Sequence, residues 1–161
     1  MKTLFNDKHQ VSNKTYPFVS TSSPLSISKL VVITTRLTSG ASEAVMNSVY
    51  PGITAVSVGD TTAGIPAVMN GWQCGMKYVF WIVTSKMVNS LNQDFSDGLP
   101  PDKRMTDDIT REFDDRQEQC LKEAILYLET GQFSVKGEEP FYRSVQFTEE
   151  PSLINNSFIL K

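Results

Sequence analysis

The stretch from Lys29 to Pro66 constrains the fold of this chain more than any other. It opens with Leu30, Val31, Val32, Ile33, Thr34 and Thr35. This apolar, β-branched run has no polar alternation, which predicts a strand covered on both faces. Small residues follow, Thr38-Ser39-Gly40-Ala41-Ser42-Glu43. Then Ala44, Val45, Ser48 and Val49 fall at helical spacing, and Tyr50-Pro51-Gly52 ends the helix. A second apolar run, Ile53 to Val58, leads into Gly59-Asp60-Thr61-Thr62-Ala63-Gly64. The reading is strand, tight turn, helix, strand, turn. A turn between a buried strand and a helix leaves free backbone N–H groups at the helix start, where α/β folds place chemistry.

Three motifs come in order: T-S-G-A-S-E at Thr38 to Glu43, G-D-T-T-A-G at Gly59 to Gly64, and D-G-L-P-P-D at Asp97 to Asp102. Together they resemble the C-terminal half of the catalytic domain of the C-terminal-processing (tail-specific) serine peptidases, most closely the Bacteroidetes-type subgroup. The resemblance covers roughly Leu4 to Gln132. It implies an α/β fold of the ClpP/crotonase-like type, seen incompletely, with a mixed sheet and covering helices. It also implies a Ser/Lys dyad, in which a desolvated Lys takes the Ser proton and the Ser attacks the scissile carbonyl. No cofactor is implied.

The chain departs from the family pattern at both members of that dyad. The pattern around the nucleophile reads T-x-S-A-S-E, which puts the family Ser at Gly40. The pattern around the base reads G-x-x-T-x-G-K, which puts the family Lys at Ile65. Gly40 has no hydroxyl and Ile65 takes no proton. What the resemblance leaves is the backbone part of an oxyanion hole, at Gly40 and Ala41. Ser39 and Ser42 flank the gap as substitute nucleophiles, although a strand-end hydroxyl and a first-turn residue explain them as well. Glu43 reads as a first-turn carboxylate rather than a catalytic acid. Lys29, Arg36 and Lys77 are distant cations that nothing in the sequence brings to the turn.

Composition narrows the remaining classes. The chain has 161 residues with a net charge of −3, 40% hydrophobic and 20% charged. That suits one domain or a large piece of one, and offers no basic patch for nucleic acid. Two cysteines, Cys74 and Cys120, make no disulfide framework, and Cys120 reads as a small buried hydrophobe. No apolar run is long enough to span a membrane. The N-terminus lacks the apolar region of a signal peptide. The family's domain begins upstream of the matched region, so the chain is expected to be a fragment whose N-terminal half, with any export signal, lies elsewhere.

Along the rest of the chain, Lys2 to Phe5 reads as extended and the single histidine, His9, as a surface residue. Ala67 to Gln73 reads as a connection, because it contains Asn70 and Gly71. Met76 to Val88 is a long strand with both faces apolar in its first half, which predicts a central position. It is expected to share one sheet with the Lys29 and Ile53 strands. Gly98-Leu99-Pro100-Pro101-Asp102 is a loop. Asp94, Asp97, Asp102, Asp107 and Asp108 lack the alternation of a calcium loop and read as caps and turns. A helix is expected from Asp114 to about Glu129, with Asp114 and Asp115 opposing its N-terminal dipole and Gly131 stopping it. Residues 1–132 therefore form the domain. Phe133 to Lys161 is an aromatic tail expected to pack on the domain or on a neighbour.

Three functions follow: a fragment of an exported serine peptidase with a degraded dyad, a non-catalytic peptide-binding module, or a crotonase-like acyl-thioester enzyme. The last has no acid/base or nucleotide contact to support it. The expected partners are a peptide or protein substrate, the missing N-terminal half, and further copies of the chain. An oligomer is expected because a half-domain leaves an apolar face and a strand edge uncovered.

Overall fold

A computed structural model describes residues 1–135. The elements are β1 (Lys2–Phe5), β2 (Lys14–Thr15), β3 (Lys29–Thr34), α1 (Ala41–Val49), β4 (Thr54–Gly59), β5 (Ala67–Cys74), β6 (Tyr78–Val88), β7 (Lys103–Arg104) and α2 (Gln119–Thr130). They form an α/β architecture with two sheets rather than the single sheet expected from the sequence. One is parallel, in the order β3-β4-β7; the other is antiparallel, in the order β2-β1-β6-β5.

The β3-α1-β4 unit matches the sequence reading closely. Lys29 pairs with Thr54 and Thr34 with Gly59 in parallel register, with α1 as the crossover. β3 is less covered than its apolar run suggests. It lies at the edge of its sheet, and Ile33 is exposed. The buried face of α1 also differs from the expected stripe. Glu43, Ala44, Met46 and Asn47 are buried, while Val45 is exposed.

α1 joins the two sheets. Ala44 packs with Met87 near the end of β6 and with Phe95, and Met1, Val68 and Leu99 close the cluster. Beside it runs an amide network. Asn47 Nδ2 donates to the Gln93 carbonyl at 2.9 Å, and Asn89 Nδ2 donates to Asn47 Oδ1 at 3.2 Å. Such buried amides are satisfied in only one arrangement, which fixes α1 against the loop after β6.

The strand Met76 to Val88 belongs to the antiparallel sheet, because its partner is Ala67 to Cys74. That segment is a strand, not a connection. Its Asn70 and Gly71 are accommodated across the hairpin. Asn70 Nδ2 donates to Thr84 Oγ1 at 2.8 Å, and Gly71 stands opposite Trp81, where a Cβ would meet Val79 Cγ1 at 3.2 Å and the Trp81 ring at 3.4 Å. Thr84 is the extra residue of a bulge, since Val68 pairs with Ser85 and Met69 with Val83. Below the bulge, β6 is central, held by β5 on one side and by β1 on the other. Above it, Tyr78 to Val83 pairs with β5 alone and forms a two-stranded arm that is exposed on both faces.

α2 packs on β3 and β4. It begins five residues later than expected, because Glu118 is its cap. The Glu118 side chain accepts the N–H groups of Cys120 at 3.0 Å and Leu121 at 2.7 Å. Asp115 is held in a preceding turn by the Gln117 N–H and an ion pair with Arg111. Asp114 and Asp115 therefore stand outside the helix and do not face its dipole. Gly131 ends α2 in the left-handed conformation, as expected. Cys120 is buried, and burial with the nearby Glu118 pushes its thiol up to about 12, so it behaves as a small hydrophobe. The expected tail from Phe133 lies mostly outside the described residues.

Candidate functional site

The three motifs meet at the C-terminal ends of β3 and β4, around the carboxylate of Glu43. Glu43 is the third residue of α1 and is fully buried. Its Oε1 accepts the Thr62 hydroxyl at 2.5 Å and the Gly64 N–H at 2.6 Å. Its Oε2 accepts the Gly40 N–H at 2.8 Å and the Ile65 N–H at 3.0 Å. Burial alone would push this carboxyl up; the hydrogen bonds from Thr62, Ile65, Gly64 and Gly40 outweigh it and hold the group below the usual carboxylate range. The bond to Gly40 is the reciprocal half of a capping box, since Gly40 has no side chain to give the other half.

Around this hub the loops lock together. Thr62 also accepts the Leu99 N–H at 2.8 Å through its hydroxyl, and the Thr62 N–H donates to the Leu99 carbonyl at 3.2 Å. The Ala63 N–H reaches the Thr38 carbonyl at 2.9 Å. At Gly64 the backbone has φ +78°, and a Cβ there would stand 2.6 Å from the Ser96 carbonyl oxygen and 2.7 Å from the Gly98 nitrogen. Only glycine allows the G-D-T-T-A-G loop to approach the D-G-L-P-P-D loop this closely. Asp102 ties the second loop to β4: its Oδ2 accepts the Ser57 N–H at 2.7 Å.

The structure brings the matched dyad positions, Gly40 and Ile65, to one carboxylate oxygen. Gly40 sits at the N-cap of α1 with φ +55° and ψ −107°, a sharp strand-to-helix turn of the kind that exposes a nucleophile in other enzymes. A Cβ built on Gly40 meets nothing within 4 Å. Ile65 is 46% exposed and is not the packed hydrophobe that its chemistry suggests. The Gly40 N–H is engaged by Glu43, so the oxyanion pair expected at Gly40 and Ala41 is reduced. Among the described residues, only the Ala41 N–H of that pair lacks a protein acceptor.

The remaining candidates separate from this centre. Ser39 is half-buried and its carbonyl accepts the Ser42 N–H at 3.3 Å; Ser42 is exposed in the first turn of α1. Neither has a basic side chain bonded to it among the described residues. Lys29 begins β3, at the end of the strand away from the turn, and Lys77 lies in the turn at the tip of the arm. Arg36 follows β3 and is engaged in an interaction of its own. His9 is exposed.

Sequence reasoning missed the hub role of Glu43 and the part played by Thr62. The signal was available in the spacing, because a Glu three residues after an N-cap position returns to its N–H. What the spacing could not reveal was that the same carboxylate also binds the loop after β4.

No family model matches the chain, and no curated protein is significantly similar to it. Among solved structures, the chain is similar to one described as "Putative S41 protease from Bacteroides fragilis NCTC 9343". The TM-score is 0.69 at 24% identity, covering 81% of this chain and 36% of that one. This likeness is one of fold. The chain spans little more than a third of its neighbour's length.

Proposed function

We propose that this chain carries the dyad-bearing part of a serine-peptidase domain of the C-terminal-processing type, in which nucleophile and base have both been lost. The observation that carries this reading is the Glu43 carboxylate, whose Oε2 holds both the Gly40 and the Ile65 N–H. Two positions that a family pattern assigns to Ser and Lys are thereby neighbours in space, as a proton transfer between them requires. The fold likeness to a chain described as a protease supports the same reading. Nucleophilic catalysis needs a group that can be deprotonated and a base in reach, and the two positions offer a hydrogen and a hydrocarbon. The chain alone therefore hydrolyses peptides negligibly. On this reading its native setting is the cell envelope, as in the family it resembles.

A second reading, a peptide-binding module without catalysis, has one observation in its favour. The outer edge of β3 pairs with no strand among the described residues, and β3 leads directly to the Gly40 turn. An extended peptide can add to such an edge. Two measurements on the chain as it stands separate the readings. Hydrolysis of an unstructured protein such as casein, inhibited by a fluorophosphonate, would overturn the loss of the dyad. Saturable binding of extended peptides without cleavage, seen as fluorescence anisotropy and abolished by a proline placed in β3, supports the binding module.

A further inference from the structure

We draw no further inference here: the strongest candidate, the two-stranded β5–β6 arm with Trp72 and Phe80 exposed on one face and Val79 and Trp81 exposed on the other, carries none, because nothing in the structure shows what covers it.

Discussion

The Ile65 N–H donates to the Glu43 carboxylate at 3.0 Å, across 22 positions of sequence. The same oxygen accepts the Gly40 N–H. One carboxylate therefore sets the distance between two backbone positions where catalysis in the resembling family would begin and where its proton would go. The hub needs no side chain at either position, because it is made by their backbone N–H groups and is part of the folding of the turn.

Replacing Glu43 should be among the most damaging single changes in the chain. Glu43→Ala leaves four donors facing a cavity, and each lost bond to a charged acceptor costs about 1.5–3 kcal/mol. The loss should exceed ~3 kcal/mol, read as the urea midpoint. Its pH dependence follows from a native carboxyl held below the usual range. The unfolded glutamate titrates near about 4.3. The contribution is complete above that value and is lost as the pH falls through the lower native value. The stability gap between the parent chain and Glu43→Gln should therefore be constant near neutrality and should narrow in acid. A gap that widened below pH 5 would contradict the assignment.

Gly40→Ser tests whether the turn still accepts a nucleophile. The new side chain points into open space, so the cost is that of the backbone conformation alone, about 1–3 kcal/mol. Hydrolysis should remain at background, because Ile65 supplies no base. Thermal melting reads the first expectation and a fluorogenic peptide reads the second. Turnover by the single variant would mean that another residue acts as base.

Asp107 should work in the opposite direction from Glu43. Burial, with the nearby Glu118 and Asp108, holds its carboxyl above the usual range. A raised native value means that the folded state binds the proton more tightly. The resulting penalty is absent below the unfolded value and is imposed in full once the pH passes the native one. Asp107→Asn should therefore melt higher than the parent at pH 7, and the two should converge as the pH is lowered towards 4. A lower melting temperature at pH 7 would mean that the carboxylate has a favourable partner.

Glu118→Ala should shorten α2. The side chain accepts from Cys120, Leu121 and the Asp108 N–H. Loss of an N-cap costs about 0.5–2 kcal/mol. Circular dichroism should show a small loss of helix, and amide exchange should quicken first at Cys120 and Leu121. Exchange that quickened uniformly along α2 would argue for a packing defect instead.

What the sequence made legible was local. β3, α1 and β4 could be read because their apolar runs and the turn between them lie within thirty-odd consecutive residues. Gly131 could be read because a helix stop is a property of one residue. β5 could not, since Asn70 and Gly71 look like turn residues until Thr84 accepts from the one and Trp81 stands opposite the other. The start of α2 could not, because Asp114 and Asp115 are by type the better caps and only the structure shows Arg111 and Gln117 occupying Asp115 and Glu118 taking the cap. At the site, the matched positions Gly40 and Ile65 were legible from motif spacing. The exposure of Ile65 and the commitment of the Gly40 N–H depend on how the loops after β3 and β4 meet.

The position of β1 also has a kinetic consequence. It enters the sheet beside the base of β6, and Lys2 Nζ bonds the Ser90 carbonyl, 88 positions away. Closing so long a loop is entropically costly and yields few bonds, whereas β3, α1 and β4 can assemble from neighbours. The N-terminal strand should therefore dock late in folding, after the parallel unit exists, and detach early when the molecule opens. A newly made chain would then pass through a stage in which the whole length of β6, from Tyr78 to Val88, is unpaired on that side. During synthesis and refolding the molecule should be most prone to aggregate in that interval, and strongly concentration-dependent refolding yields would be its signature.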